Sequence, residues 1–65
     1  MTKGRVLDIL DGYIQGDGSL FSNGWYLSWV PGRPAILDGD FTCEELEAIV
    51  WWIRHVEALT TKTHT

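Results

Sequence analysis

The chain has 65 residues, with nine acidic side chains, five basic ones and a formal net charge of −4. This length leaves room for one domain with one core, and so small a domain is only marginally stable. The acidic balance argues against direct nucleic-acid binding and against attraction to an anionic membrane. A lone cysteine, Cys43, and an N-terminal segment unlike a signal peptide lead us to expect a cytoplasmic protein.

The N-terminal segment, residues 5–15, carries apolar residues at helical spacing. These are Val6, Leu7, Leu10, Tyr13 and Ile14. Thr2 is a suitable N-cap for this segment, and Gly16 stands where a helix would end. We predict a short helix that tolerates Gly12 at a cost of about 1 kcal/mol. A strand through the same residues is the alternative.

The central segment has the residue types of a small antiparallel sheet. Residues 16–19 have turn composition, and Leu20 with Phe21 predicts a short strand or an edge. The pair Asn23-Gly24 favours a tight hairpin turn. Residues 25–30 are rich in aromatic and β-branched types and predict the strongest strand. A turn over 31–34 then leads to a further strand over 35–38.

The pairing of the last two strands leaves one question open. A four-residue loop would place Trp29 opposite Ile36 and Val30 opposite Ala35. One face would then carry Trp25, Leu27, Trp29 and Ile36, and the other Tyr26, Ser28, Val30, Ala35 and Leu37. Because both faces are largely apolar, either the sheet is covered on both sides or one face is exposed for a partner.

The C-terminal segment begins with a capping box, in which Thr42 caps a helix and Glu45 reaches back to it. Phe41 is placed to pack on Leu46 as a hydrophobic staple, and the helix should run to about Leu59. Its predicted buried face comprises Leu46, Ile49, Val50, Ile53 and Val56, with Trp52 and Leu59 at the edge. Trp51 falls on the opposite side. Residues 60–65 are predicted to be a disordered tail after a single domain over 1–59.

The predicted fold class is therefore α+β. A short N-terminal helix precedes a small antiparallel sheet of two or three strands, and a long C-terminal helix packs on the sheet. The element order is αββα or αβββα.

No catalytic or metal site is predicted. Asp8 and Asp11 are three residues apart, which is more typical of solvated helix acids than of an acid/base pair. Cys43 and His55 lie about 18 Å apart along one helix, so they do not form a nucleophile and base. The segment after Asp38 does not complete a calcium loop. We expect no enzyme activity, no metal and no cofactor.

An acidic cluster is the best candidate for a functional surface. It comprises Asp38, Asp40, Glu44, Glu45 and Glu47, and no base occurs between Arg33 and Arg54. Helix-dipole stabilisation and the capping box account for part of it. The predicted partner-binding residues are Asp38, Asp40, Glu44, Glu47, Trp51, Asp8, Asp11 and Asp17, with Trp51 as an apolar anchor. Ordinary solubility charge is the competing interpretation.

Three stretches of the chain resemble small proteins carried by bacterial phages and mobile elements. They are Gly24–Trp29, Leu37–Thr42 and Glu44–Ile49. Within that group the chain resembles the acidic anti-CRISPR proteins most. The resemblance implies a non-catalytic inhibitor in the bacterial host cell. Such an inhibitor blocks DNA binding by a CRISPR effector through an acidic, DNA-mimicking surface.

The alternative function is a homodimeric phage or bacterial accessory or regulatory protein. In that case an exposed apolar or aromatic face forms a two-fold interface, and the area buried in the dimer supplies stability that the small core lacks. Monomer and homodimer are both open at this point.

Overall fold

A computed structural model describes residues 1–22 and 26–61 and shows the predicted α+β fold. In chain order the elements are α1 (Lys3–Ile9), β1 (Leu20–Ser22), β2 (Tyr26–Trp29), β3 (Ile36–Asp38) and α2 (Cys43–Thr61). The three strands form one antiparallel sheet in the order β1-β2-β3. The version with three strands, αβββα, is therefore confirmed. The predicted Asn23-Gly24 turn and Trp25 lie outside the described residues.

Helix α1 begins as predicted but ends earlier. The Oγ1 atom of Thr2 accepts a hydrogen bond from the backbone N–H of Arg5 at 3.3 Å, which confirms the N-cap. The helix ends at Ile9, and Gly12 follows with φ of 86°. Glycine adopts this left-handed conformation without the clash that a Cβ would cause. The chain therefore turns at Gly12, and the predicted helix end at Gly16 is wrong.

The segment after this turn pairs with the sheet. Phe21 N–H donates to the Tyr13 carbonyl at 2.9 Å, and Gln15 N–H donates to the Ser19 carbonyl at 2.8 Å. Ile14 forms an isolated antiparallel bridge with Leu20. The strand that we gave as the alternative to a helix is thus matched only at the end of the 5–15 segment, where the chain pairs with β1. Residues 13–15 cover the β1 edge, and β3 is the opposite edge of the sheet.

The predicted pairing of Trp29 with Ile36 is wrong by one residue. Ile36 lies opposite Ser28, and Leu37 lies opposite Leu27. The connection spans residues 30–35, because a tight turn closed by Arg33 N–H and the Val30 carbonyl is followed by Pro34, which has no N–H to pair. A one-residue shift moves side chains to the opposite face, so Ile36 leaves the face of Leu27.

The core lies between one face of the sheet and the two helices. The sheet contributes Leu20, Leu27 and Trp29, α1 with its C-cap contributes Val6 and Leu10, and α2 contributes Ala48 and Ile49. All seven side chains are buried. Among the described side chains of the other sheet face, Phe21 and Ile36, which both pair with Ser28, are 48% and 64% exposed, and we call this face the open sheet face.

Helix α2 has the predicted cap. Glu45 N–H donates to Oγ1 of Thr42 at 3.1 Å, and Thr42 N–H donates to Oε1 of Glu45 at 2.7 Å. The helix extends to Thr61, two residues beyond the predicted end. The rest of the predicted tail, residues 62–65, lies outside the described residues.

The predicted core face of α2 is partly wrong. Ile49 is buried and Ile53 is half-buried, but Leu46 and Val50 are 38% and 48% exposed. Ala48 is fully buried instead, and Trp52 packs against the core. The face in contact with the core is thus rotated by about a quarter turn around the helix axis from the predicted one.

Two local features account for this rotation. The small side chain of Ala48 allows close approach of α2 to the other elements. Trp52 donates its indole N–H to the Gly18 carbonyl at 2.8 Å. Gly18 also lies against Val56, since a Cβ on this glycine would be 3.7 Å from Val56 Cγ2. The 16–19 turn therefore binds one side of α2 and fixes which side faces the core.

Candidate functional site

The acidic surface, defined here as Asp38, Asp40, Glu44 and Glu47, surrounds the start of α2. Asp38 ends β3, Asp40 lies in the connection to α2, and all four side chains belong to exposed residues. Glu45, the fifth acid of the cluster, is committed to the capping box. The fold thus keeps the predicted acids on the surface near one end of the long helix.

The structure adds a base to this surface. Arg5 of α1 donates from Nη2 to Oε1 of Glu44 at 2.8 Å and from Nε to Oε2 at 3.2 Å. This hydrogen-bonded ion pair raises the pKa of the Arg5 guanidinium above its ordinary value, and Asp8 adds a smaller effect in the same direction. A base from outside the 33–54 segment therefore neutralises Glu44. In the described part of the chain, Asp38, Asp40 and Glu47 form no ion pair.

The three remaining predicted acids lie in different settings. Asp8 is on α1, and Asp11 is exposed in the turn that follows it. The Oδ1 atom of Asp17 accepts hydrogen bonds from Ser19 Oγ at 2.7 Å and from Ser19 N–H at 3.0 Å. These two hydrogen bonds stabilise the carboxylate and lower the pKa of Asp17. Asp17 therefore has a structural role in the turn that binds α2.

An open groove runs along the side of α2 that faces away from the core. We call it the outer groove, and its lining residues are Met1, Leu46, Glu47, Val50, Trp51 and Arg54. It is apolar at the centre and charged at the rim. Sequence reasoning assigned Leu46 and Val50 to the core and so missed this surface. The sequence did contain a signal for this surface, because apolar residues occupy more than one side of α2.

Trp51 lies between the core and the outer groove. Its ring stacks on His55, with ring centroids 5.0 Å apart and an interplanar angle of 17°. Glu47, four residues before Trp51 in α2, lines the same groove. Trp51 is also half-buried and packs against the core, so it is less free than the predicted surface anchor.

Metal ligands do not cluster in the part of the chain that the structure describes. No three His, Cys, Asp or Glu residues there are arranged to hold a metal ion. Cys43 is exposed and free of any disulfide. Across residues 1–22 and 26–61, no helix combines the length and apolar character needed to cross a membrane.

Comparison of the chain with protein-family models, curated proteins and solved structures finds no match.

Proposed function

We propose that this chain is a non-catalytic binding protein whose acidic surface engages a basic protein surface. The specific partner we propose is the DNA-binding surface of a bacterial CRISPR effector, so that the chain acts as an anti-CRISPR inhibitor and DNA mimic. The observation that carries this proposal is the exposure of Asp38, Asp40 and Glu47 without an ion-pair partner among the described residues. Glu44 contributes less, because Arg5 neutralises it.

Exposed carboxylates of one sign suit a partner that binds nucleic acid. A basic groove that attracts phosphates also attracts carboxylates, and like charges on one surface raise the rate of association with such a groove. Salt screens this attraction over about 8 to 10 Å at physiological ionic strength. Binding should therefore weaken as salt concentration rises.

The test uses a panel of purified CRISPR effector complexes and their target DNA. Electrophoretic mobility shift would measure DNA binding by each effector, with and without this protein, at several salt concentrations. The double variant D38K/D40K should lose inhibition, because both substituted carboxylates belong to the acidic surface and lack ion-pair partners in the described chain. The comparison variant, D8K/D11K, changes the net charge by the same amount at two other predicted partner-binding acids, which lie on α1 and in the turn after it.

Two outcomes contradict the proposal. If no effector in the panel loses DNA binding at any salt concentration, the inhibitor function is wrong. If D38K/D40K and D8K/D11K weaken inhibition equally, the acidic surface has no special role. Circular dichroism of both variants would establish that each is folded.

A second candidate function is a homodimeric accessory or regulatory protein. The observation that favours it is the amount of apolar side chain left uncovered in the monomer. On the open sheet face, Phe21 and Ile36 are 48% and 64% exposed, and Leu37 in the edge strand β3 and Val30 after β2 are 41% and 50% exposed. An inhibitor of DNA binding and a dimeric accessory protein differ in the partner they need, so the DNA-binding experiment also separates these two functions.

A further inference from the structure

The outer groove carries two opposite charges at equal distances from its centre. Glu47, Val50, Trp51 and Arg54 are spaced i, i+3, i+4 and i+7, so they follow one stripe of α2. The two apolar residues occupy the middle of the stripe. An acid stands at one end and a base at the other, each about 5 Å along the axis from the midpoint between residues 50 and 51.

The two charged residues have no ion-pair partner within the part of the chain that the structure describes. Both are exposed. They lie about 10 Å apart along the helix axis, too far to pair with each other. Between them, Val50 is 48% exposed, and beside it Leu46 is 38% exposed. The stripe is therefore a partly uncovered apolar surface, with Val50 exposed and Trp51 half-buried, between two unmatched charges of opposite sign.

We propose that the outer groove binds a second copy of this chain, with the two α2 helices antiparallel. A two-fold axis between residues 50 and 51 brings Glu47 opposite the partner subunit's Arg54, and Arg54 opposite the partner subunit's Glu47. Val50 and Trp51 of both copies meet at the centre. Both ion pairs form in the same dimer, because the acidic end of each stripe lies against the basic end of the other.

Charge selects this orientation over the alternatives. Two parallel helices paired through the same stripe would place Glu47 beside its own counterpart and Arg54 beside its own counterpart, and like charges repel. An isologous two-fold contact uses the same surface on both partners, which is what a self-complementary stripe provides. Leu46 and Met1 extend the apolar lining of the groove at its side.

This interface is small, so it should be reversible. Stable protein interfaces bury about 800 Å² on each partner, which exceeds the contact of two short helical stripes. We therefore expect a dimer that dissociates on dilution. The inference shares Glu47 with the proposed function but does not rest on it. The two tests are distinguishable, because the substitutions that test the proposed function, at Asp38 and Asp40, lie outside the outer groove.

The test is charge reversal at each end of the stripe. Sedimentation equilibrium of the wild-type protein, up to millimolar concentration, should show a mass that rises from 7.4 kDa toward twice that value. E47R places two bases in each stripe, and R54E places two acids there. Each variant alone should dimerise at least about tenfold more weakly, since two attractions become two repulsions.

Mixing the two single variants gives the decisive result. The E47R stripe and the R54E stripe are complementary, so the mixture should form heterodimers that neither variant forms with itself. The double variant E47R/R54E should again dimerise with itself. A purely structural effect of either substitution would not be reversed by mixing, and circular dichroism would show that each variant is folded.

Matched controls reverse charges elsewhere on the surface. R33E and D11R change the net charge by the same amounts at exposed positions outside the groove, and both should dimerise like the wild type. A wild-type mass that stays at 7.4 kDa at every concentration would overturn the proposal. So would dimerisation that E47R and R54E leave unchanged, because the contact would then lie on another surface such as the open sheet face.

Discussion

The two sides of α2 are both rich in apolar residues, yet the fold buries only one of them. The core side presents Ala48, Ile49 and Trp52, and the outer side presents Leu46 and Val50, with Trp51 between the two sides. The spacing of the hydrophobic residues alone does not indicate which of these sides faces the core. The core side is distinguished by a small residue that permits close packing and by an indole N–H with an acceptor at 2.8 Å. The comparison shows that specific contacts decide which of two apolar sides faces the core.

The largest expected difference between the two sides comes from removing an aliphatic side chain. Ile49→Ala should reduce the free energy of unfolding by about 2 to 5 kcal/mol, because Ile49 is 1% exposed and its removal leaves a cavity. Val50→Ala, the matched change on the outer side, should cost less than about 0.5 kcal/mol. Urea unfolding at low protein concentration measures both. Equal losses would show that the two sides are buried alike.

Enlarging a side chain should likewise destabilise the protein more on the core side of α2 than at an exposed position. Ala48→Leu forces a larger side chain into a fully buried position, and we expect a loss of about 1 to 3 kcal/mol in the free energy of unfolding. Ala58→Leu makes the same change at an exposed position of α2 and should be close to neutral. Thermal unfolding of the two variants gives the comparison. A neutral Ala48→Leu would mean that α2 does not approach the core closely at this residue.

The indole hydrogen bond should have a smaller effect. Trp52→Phe removes the donor to the Gly18 carbonyl while keeping an aromatic ring, and it should cost about 0.5 to 1.5 kcal/mol from the lost hydrogen bond. Trp51→Phe is the matched control, since Trp51 shows no indole hydrogen bond within the described residues. Urea unfolding of both variants decides the matter. If Trp51→Phe lowers the free energy of unfolding more than Trp52→Phe does, the hydrogen bond does not fix the orientation of α2.

The smallest predicted effect concerns the turn that accepts this hydrogen bond. Ser19→Ala removes the Oγ–H donor to Asp17, so the pKa of Asp17 should rise toward its ordinary value. A carboxyl whose pKa is lowered in the folded state stabilises the fold above its unfolded pKa, and this contribution disappears as pH falls through the folded pKa. The variant should lose part of this acid-dependent stability. NMR titration of the Asp17 carboxyl carbon checks the pKa, and an unchanged value would contradict this account.

Local signals predicted the starts of the helices better than their ends or their faces. The caps at Thr2 and Thr42 rest on residues within three positions of each other, and both are confirmed. The end of α1 was wrong because Gly12 and Gly16 are both suitable stops. Only the pairing of residues 13–15 with the sheet favours the earlier one.

Contacts between distant residues account for most of the remaining differences. Arg5 and Glu44 are separated by 39 positions, and Trp52 and Gly18 by 34, so no local pattern indicates either contact. The register of β3 depends on how many residues the turn before it takes up, and this moved Ile36 to the open face. The acids at Asp38 and Asp40 were correctly expected on the surface, because charged side chains are seldom buried without partners.

NMR of the tryptophan indole N–H signals tests most directly the claim that one apolar side of α2 faces the core and the other faces solvent. Replacement of each tryptophan by phenylalanine in turn assigns the signals. In dilute protein the Trp52 signal should exchange slowly with solvent, because its proton is hydrogen-bonded against the core, and the Trp51 signal should exchange faster. As concentration rises, the Trp51 signal should shift while that of Trp52 stays constant. A protected, concentration-independent Trp51 beside an exposed Trp52 would contradict the account.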